Sequence, residues 1–406
     1  MKNKINTFLK VYPWYYSLSC WLLFYDILNT LYLTSVKGLS AGEFSLLSAI
    51  ALFTSIALQM PLLKVIKKIG NTTSLRIGNL IFIIAALLLT FCNSFIGLTL
   101  GQVLYELSFI FKTLILVELR KNLIYINSED DFIKHATNAT MKYSIVALIA
   151  SFLAGPLFNI NNYLPMYLSI ISAFVCLYFS FFLFDATELD KDYKETPKPK
   201  QQFKIKKLWS FIFIILLLTF AIETGIIDFG PSEAKLFIQT NLETQINIEM
   251  TAIILSFSVA LSYILAIVSN IIFPKIYKKI KDKSGYLLGL LLVSSFALLL
   301  IGYFVPAPFA IKIIIMISGF LLIEMVKGPY TVYLEDLILK NSQPGLEQDL
   351  SAYINLARNT GGAVISAIAS IILIYHSLSY VILMLLIAAL IELFAFSKII
   401  KALQKI

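Results

Sequence analysis

Charged residues are scarce in this sequence. Asp, Glu, Lys and Arg make up 14% of its 406 residues, whereas about 25% is usual in soluble globular proteins. Hydrophobic residues, by contrast, reach 59%, against about 45–50% in soluble domains. This balance excludes an ordinary water-soluble protein, because so much apolar surface has to face something other than water.

Cysteine and histidine are also rare, with three and two residues in the whole chain. The cysteines (Cys20, Cys92 and Cys176) stand singly in or beside apolar runs, and the histidines (His135 and His376) lie far apart in the sequence. Neither spacing matches a disulfide framework or a metal site. No Gly-rich phosphate-binding motif is present, so ATP is not the expected energy source. We therefore expect no metal, no cofactor and no enzymatic activity.

Long apolar runs occupy most of the chain. A helix of about 20 apolar residues crosses the hydrocarbon of a bilayer, and the sequence predicts an all-α integral membrane protein with twelve such transmembrane helices. The predicted spans are 13–36, 44–66, 75–92, 95–119, 141–160 and 164–184 in the first half, and 208–229, 248–273, 286–304, 309–339, 350–374 and 377–400 in the second.

One segment, residues 185–207, is the clear linker between the two halves. It reads DATELDKDYKETPKPKQQFKIKK, carries many charges and two prolines, and has no apolar periodicity. Such a composition is typical of a flexible connection. The sequence thus predicts an N-terminal six-helix bundle over 1–184, a linker over 185–207 and a C-terminal six-helix bundle over 208–406.

A basic segment recurs in both halves. KVIKKIGNTTSLRIG (residues 64–78) aligns without a gap with KIYKKIKDKSGYLLG (residues 275–289) at an offset of 275 − 64 = 211 residues. The two segments occupy equivalent places, after spans two and eight. Short Lys-rich loops also arise independently on the inner face of membranes, but the ungapped match favours an internal duplication and two pseudo-symmetric bundles.

The second-to-last span of each half begins in a similar way. Lys142 and Arg358 each place a cation at its start. Small residues follow at every fourth position (Ala147, Ser151 and Gly155; Gly362, Ser366 and Ser370). Small residues at this spacing let membrane helices approach closely, so the stripes predict helix packing.

The distribution of Lys and Arg predicts the orientation. Both termini and the connections after even-numbered spans hold most of these cations, whereas only Lys37, Lys235 and Lys312 lie in or beside odd-numbered connections. Because cytoplasmic loops accumulate Lys and Arg, both termini should be cytoplasmic, in a multi-pass protein of the plasma membrane. The net charge of +9 is spread over many loops, so it does not indicate a nucleic-acid partner.

Twelve spans in two parallel repeats, a long linker and basic loops after spans two and eight together resemble the major facilitator superfamily. The family's loop after span two has the form Gly-x-x-x-Asp-Arg-x-Gly-Arg-Arg. Here Leu63 stands for the first Gly, Lys67 for the Asp and Lys68 for the Arg, while Gly70 matches. The resemblance implies a central cavity between two bundles and gating loops at Lys67, Lys68 and Gly70 and, in the repeat, at Lys278 and Lys279.

A second motif concerns the direction of transport. AGPLF (residues 154–158) in span five is similar to the Gly-Pro motif of antiporters in this superfamily, with Ser151 in place of its leading Gly. This resemblance favours export by antiport.

Six of the charged residues within the predicted spans are candidates for a functional role. They are Asp26, Glu106, Lys112, Glu223, Glu324 and Lys327. A charge at the centre of a membrane helix costs about 2.5–3.5 kcal/mol on insertion scales, so each should have a use or a partner. The resemblance places spans one, four, seven and ten, which carry all six, around the cavity.

Three of these charges are candidate proton carriers, namely Asp26, Glu223 and Glu106. A carboxyl in a low-dielectric cavity can alternate between neutral and charged forms, as proton coupling requires. Asp26 also has Ser19, Asn29 and Thr30 on its helical face. The alternative is a hydrogen-bonded structural carboxyl.

The other three, Lys112, Glu324 and Lys327, are candidates for binding substrate in the cavity. Glu324 and Lys327 are three positions apart, so they can pair on one helix face. Pro329 follows at once and can kink the helix. The two residues therefore form either a self-neutralising pair or a movable binding element.

Together these features predict a monomeric secondary active transporter that works by alternating access. The expected activity is proton-coupled export of a small amphipathic compound, such as a drug or metabolite, and the acidic cavity residues favour a cationic one. Two alternatives use the same carboxyls: a proton-coupled uptake symporter for a small nutrient, and a lipid or lysolipid flippase.

Overall fold

The protein is an all-helical membrane protein. The computed structural model describes residues 2–112, 115–126, 128, 131–186, 211–280, 283–340 and 347–403, and every regular element among them is a helix. The predicted fold class is confirmed. Apolar side chains such as Ile160 and Phe394 lie on the outside, with 76% and 69% of their surface exposed, as lipid-facing residues do.

The chain forms two compact units, and Leu33–Ala49, although part of the first half of the sequence, belongs to the second unit. Unit 1 comprises Met1–Tyr32 and Ile50–Lys200, and unit 2 comprises Leu33–Ala49 and Gln201–Ile406. Among its described residues, the first half supplies eight α-helices: α1 (Lys2–Ser19), α2 (Leu23–Leu31), α3 (Ala41–Ile69), α4 (Asn71–Phe91), α5 (Phe95–Lys112), α6 (Ile115–Tyr125), α7 (Phe132–Ile160) and α8 (Leu164–Ser180), with a π-helix (Tyr32–Val36) after α2.

The described residues of the second half supply six α-helices, all longer than 20 residues. They are α9 (Phe211–Leu242), α10 (Ile248–Ile280), α11 (Lys283–Phe304), α12 (Phe309–Lys340), α13 (Glu347–Tyr375) and α14 (Leu378–Leu403). Within unit 2, Ser45 donates a 2.8 Å hydrogen bond to Glu233 on α9. This contact and a bond of 2.8 Å from Gln239 to Thr34 explain why Leu33–Ala49 belongs to this unit.

In the described residues, helices occupy all twelve predicted spans, but only some of these helices are both long and apolar enough to cross a bilayer. In the described residues, eight are long and apolar enough to cross a bilayer, and α8 and part of α14 are apolar but shorter. Span one fails because it is broken into α1 and α2. Span seven is longer than predicted, since α9 continues to Leu242, and carries several charged residues.

The same helix pairs form in both halves, which supports the internal duplication. In unit 1, α4 packs on α5 and α8, and α1 packs on α7. In unit 2, α11 packs on α12 and α14, and α9 packs on α13. These are the corresponding spans of each predicted repeat, so the two halves share a pattern of helix packing.

Local signals set two of the helix boundaries. Ser40 and Glu43 form a reciprocal cap before α3: the Glu43 amide donates to Ser40 Oγ at 3.2 Å, and the Ser40 amide donates to Glu43 Oε2 at 2.8 Å. Gly70 adopts a φ of +85° between α3 and α4. Glycine reaches this left-handed region without strain, so a single residue separates the two helices.

The predicted linker begins as ordered structure. Asp185 is fully buried and accepts a hydrogen bond of 3.0 Å from Lys121, while its amide donates to Thr72 Oγ1 at 3.0 Å. The next residue, Ala186, is buried as well. The flexible connection therefore cannot start at 185 as predicted, and residues 187–207 lie outside the described part of the chain.

Candidate functional site

The first predicted span contains a break that the sequence did not indicate. α1 ends at Ser19 and α2 begins at Leu23, so Cys20 and Trp21 lie outside both helices. A break of this kind leaves the last carbonyls of one helix and the first amides of the next without partners. Inside a membrane such groups have to be satisfied by the protein itself or by water in a cavity.

Side chains from neighbouring helices of unit 1 satisfy these groups. At the end of α1, the Lys112 ammonium donates a 2.8 Å hydrogen bond to the Ser19 carbonyl. At the start of α2, the Leu22 amide donates to Tyr105 Oη at 3.2 Å. A cation at a helix C-terminus also interacts favourably with the helix dipole. The two ends of the break are thus held by residues of α5.

Aromatic rings enclose the Lys112 ammonium on its other sides. Its Nζ lies 3.4 Å from the centroid of the Phe82 ring and 4.6 Å from that of Phe109, and only 4% of the residue is exposed. Ring faces attract cations more strongly when water is excluded. Lys112 therefore has a structural partner set at the helix break, which the sequence did not predict.

Asp26 lies in the first turn of α2, directly after the break. Its Oδ2 accepts a short hydrogen bond of 2.6 Å from Tyr105, and the preceding residue, Tyr25, donates to Gln102 Oε1 at 3.0 Å. Glu106, the third candidate from this half, follows Tyr105 on α5 and is partly buried. The structure thus brings Asp26, Lys112 and Glu106 to one region, where α5 meets the break.

Unit 2 contains an ion-paired cluster on three helices. Arg358 of α13 donates from Nε and Nη2 to the two carboxylate oxygens of Asp228 on α9, at 2.5 and 3.0 Å. Lys327 of α12 places its Nζ 3.6 Å from Asp228 Oδ1. About a third of each side chain is exposed, from 28% to 35%. One carboxylate therefore faces two cations.

This cluster replaces the pair expected between Glu324 and Lys327. In the described part of the chain, the ion pair of Lys327 is made with Asp228, and none joins it to Glu324. The physical reason is that α9 presents a carboxylate to α12, already oriented by Arg358. An interhelical partner thus takes the place of the intrahelical one.

Glu223 lies deeper in the same unit. Tyr330 of α12 donates a 2.8 Å hydrogen bond to its Oε1, and both residues are almost completely buried, with 1% and 0% exposed. Oε2 of Glu223 has no hydrogen-bond partner among the described residues, and the same holds for Oε2 of Glu392 on α14. A buried carboxyl with an unpaired oxygen is costly when charged.

Close packing of α9 on α13 brings the charged cluster together. A Cβ on Gly361 would lie 1.6 Å from the Ala221 carbonyl oxygen, and one on Gly225 would lie 2.5 Å from the Gly361 carbonyl carbon. Two glycines at the crossing allow this backbone contact. Arg358 and Asp228 lie one turn from it on their helices, so the crossing sets their bidentate geometry.

The sequence interpretation missed Asp228 and the two tyrosines, and it noted Arg358 only as a cation at the start of span eleven. Asp228 lies one residue from the predicted end of its span, where a charge does not stand out. Tyr105 and Tyr330 carry no sequence signal that separates them from other membrane tyrosines. The cation at the start of span eleven was visible, and its counterpart Lys142 lies 4.4 Å from the Trp14 ring in unit 1.

The predicted gating residues lie at helix ends. Gly70 forms the turn between α3 and α4, and Lys68 is exposed beside it, whereas the side chain of Lys67 lies outside the described part. Lys278 and Lys279 are exposed in the last turn of α10. Their role in gating remains a prediction.

The fold is similar to that of several membrane transporters, although no protein-family model and no curated protein matches the sequence. The nucleoside transporter NupG aligns with a TM-score of 0.72 at 13% identity, over 98% of this chain and 99% of that one. A bacterial homologue of the iron transporter ferroportin, in an inward-facing state, gives 0.76 at 13% identity, over 98% and 99%. A bacterial metal transporter gives 0.66 at 12% identity, over 98% of each chain. The chain therefore has a transporter fold over nearly its whole length, as expected for a multi-pass membrane protein.

Proposed function

We propose that the protein is a proton-coupled secondary active transporter that works by alternating access. The observation that carries the proposal is a matched contact in the two units. In each unit, a tyrosine from the fourth span donates to a carboxyl on the first span: Tyr105 to Asp26 at 2.6 Å and Tyr330 to Glu223 at 2.8 Å. Intramembrane carboxyls with such partners are typical of proton relays.

The tyrosine hydroxyl can hydrogen-bond to each carboxyl in both its ionised and its protonated form. It donates to the carboxylate when the acid is ionised, and it can accept from the acid when the carboxyl is protonated. The change of form thus needs only rotation of a hydroxyl hydrogen. Asp26 and Glu223 are therefore the principal proton carriers in this proposal, and Glu106, next to Tyr105, is an accessory one.

The helix break in the first span supports a transport role. Discontinuous membrane helices are found at the binding sites of many transporters, where the freed backbone groups meet substrate or ions. Here the break is bounded by Lys112 and Asp26, and exposed Trp21 lies within it. Its ring centroid is 5.7 Å from that of Phe109. An aromatic and charged surface of this kind suits a small amphipathic compound.

Direction and location extend the same proposal. The Gly-Pro motif in span five favours export by proton antiport, and the distribution of Lys and Arg favours cytoplasmic termini. The proposal places the protein as a monomer in the plasma membrane. The similar structures are a nucleoside transporter, a bacterial homologue of an iron transporter and a bacterial metal transporter. That range indicates a fold open to different cargoes, so the substrate has to be identified by experiment.

Transport in proteoliposomes tests the proposal. The purified protein is reconstituted with an internal pH dye, and a panel of amphipathic amines, acids and nucleosides is added one at a time. A compound-dependent proton flux that disappears in protein-free liposomes supports coupled transport, and its sign separates antiport from symport. Absence of both flux and compound movement across the panel, with folded protein in the membrane, would overturn the proposal.

A further inference from the structure

The Lys327 ammonium is held less firmly than the other cation of its cluster. Arg358 donates two hydrogen bonds to Asp228, at 2.5 and 3.0 Å, and so occupies both carboxylate oxygens. Lys327 Nζ lies at 3.6 Å from Oδ1, whereas a charge-assisted N–H···O bond is about 2.7–2.9 Å long. Lys327 is thus the second cation on a carboxylate that already has a partner.

The position of Lys327 makes this loose contact significant. The residue lies well inside α12, at position 19 of 32 counted from Phe309, where a charge is costly unless it faces water or a ligand. Its side chain is 32% exposed. An ammonium has three donor hydrogens, and in the described residues the polar contact of its nitrogen is the 3.6 Å ion pair with Asp228. The structure therefore leaves a partly exposed cation with donors to offer.

We infer that Lys327 binds an acidic group of the substrate, a carboxylate or a phosphate, and that Asp228 is its partner when no substrate is bound. An incoming anion can take Lys327 without leaving Asp228 unpaired, because Arg358 continues to hold that carboxylate. Breaking an ion pair by stranding one buried charge is strongly unfavourable, and the second cation removes this penalty. The inference rests on the proposed transport function only for its biological use, since the charge of the site can be measured without transport.

Charged thiol reagents measure the electrostatic potential beside Lys327. Thr331 lies one turn further along α12, so a Thr331→Cys variant places a thiol next to the ammonium. Its rates of reaction with sulfonatoethyl methanethiosulfonate (negative) and trimethylammonioethyl methanethiosulfonate (positive) are compared in detergent. The same protein with Thr331 unchanged supplies the background rate of the native cysteines.

Removing the Lys327 charge should change the ratio of these rates. A unit charge about 7 Å away acts on the two reagents in opposite directions, so Lys327→Gln should lower the negative-to-positive ratio about fivefold. Lys327→Arg should preserve it. Lys312→Gln is the matched control, since it removes a lysine from the same helix about 28 Å from the thiol at position 331, at 1.5 Å per residue. An unchanged ratio in Lys327→Gln would overturn the inference.

Paired probes then test the ligand class. Benzoate is compared with benzamide, and phenyl phosphate with phenol, as protectants of Thr331→Cys from the neutral reagent methyl methanethiosulfonate. Protection by an acid but not by its neutral partner, lost in Lys327→Gln, supports the inference, and the two acids separate carboxylate from phosphate. Protection by the neutral compounds to the same extent, or by none of the four, overturns it. If acids bind but no proton flux accompanies transport, the site stands and the proposed coupling fails.

Discussion

Tyr330 of α12 donates a hydrogen bond of 2.8 Å to Glu223 of α9. Lys327 lies one turn from Tyr330 on α12 and forms an ion pair with Asp228, also of α9. The same two helices, α12 and α9, are therefore joined by two polar contacts of different kinds. The one between Tyr330 and Glu223 is buried, and the other is partly exposed. A change in either contact, by protonation or by ligand binding, acts on the packing of α12 against α9.

Replacing Tyr330 with Phe should destabilise unit 2. The change removes the donor to Glu223 and leaves both oxygens of a buried carboxyl without a partner, at a cost of about 1–3 kcal/mol. Thermal melting of the purified protein, followed by fluorescence-detected size exclusion, measures the effect. Tyr303→Phe is the matched control, because Tyr303 is 37% exposed and loses no buried contact. Equal melting temperatures of the two variants would contradict the contact.

The two cations on Asp228 should differ in their contribution to stability. Arg358→Gln removes two hydrogen bonds to a partly exposed carboxylate and should cost about 1–2 kcal/mol. Lys327→Gln removes only a longer-range attraction and should cost less than about 0.5 kcal/mol. Melting curves of both variants, with and without Asp228→Asn, give the coupling of each cation to the carboxylate.

The same measurements decide the partner of Lys327. The effects of Glu324→Gln and Lys327→Gln should add within about 0.5 kcal/mol, as is usual for residues that do not interact. A strong coupling between Glu324 and Lys327, with none between Lys327 and Asp228, would restore the intrahelical pair.

The crossing of α9 and α13 makes Gly361 intolerant of any side chain. A Cβ there would lie 1.6 Å from the Ala221 carbonyl oxygen, so Gly361→Ala has to push the helices apart and should cost 3 kcal/mol or more, at the upper end of overpacking effects of about 1–3 kcal/mol. Gly42→Ala is the control, because its Cβ would meet Leu373 at 3.5 Å. Yields of monodisperse protein in detergent should fall sharply for Gly361→Ala only; equal yields would contradict the close crossing.

The helices could be predicted from sequence because apolar length alone reports a membrane span. Each of the twelve predicted spans coincides with helix in the described residues. The break after Ser19 could not be predicted, since no proline or glycine marks it. It depends on partners distant in the sequence, such as Tyr105, which is 83 positions from Leu22, and Lys112, which is 93 positions from Ser19.

The candidate site could be predicted from the sequence only in part. Charged residues inside apolar runs stand out, so Asp26, Glu223 and Lys327 were found. Asp228 was not found, because Gly230 and Pro231 follow it and ordinarily end a helix. Membrane helices tolerate proline, and α9 continues to Leu242, which places Asp228 near its middle. Partner choice is a property of helix packing, so the pairing of Lys327 could not be read from spacing along one helix.

The predicted orientation can be tested at the two ends of α10. Thr244 is exposed in the connection before this helix, and Lys279 is exposed in its last turn. With 33 residues, the helix is about 50 Å long at 1.5 Å per residue, so its ends lie on opposite sides of the membrane. In intact cells, an impermeant maleimide should label Thr244→Cys and leave Lys279→Cys unlabelled until the membrane is permeabilised.

Positions 244 and 279 suit this labelling better than Lys235, which the sequence places beside an odd-numbered connection. Lys235 is only 8% exposed within α9, so a cysteine there would react poorly from either side. The protein without an added cysteine supplies the background from the three native ones. Labelling of position 279 alone in intact cells would reverse the orientation and place both termini outside.

Asp26 is the strongest candidate for the coupling proton, and Asp26→Asn separates coupling from folding. Asn keeps the size of the side chain and still accepts the hydrogen bond from Tyr105, but it cannot release a proton. The variant should fold and bind substrate, and should lose accumulation driven by a pH gradient in proteoliposomes. Exchange of labelled for unlabelled substrate at equal pH needs no net proton movement and should persist.

Comparing Tyr105→Phe with Asp26→Asn distinguishes a proton-carrying Asp26 from one that only stabilises the structure. This change leaves Asp26 able to titrate but removes the donor to it and the acceptor for the Leu22 amide. Coupled transport should therefore persist with a shifted pH dependence, whereas Asp26→Asn abolishes it at every pH. If Asp26 only stabilises the break, both variants should lose folded protein together, and the survivors should transport with the pH profile of the unchanged protein. An unchanged pH profile in the folded fraction of these variants, and of Glu223→Gln as well, would end the assignment of Asp26 and Glu223 to proton coupling.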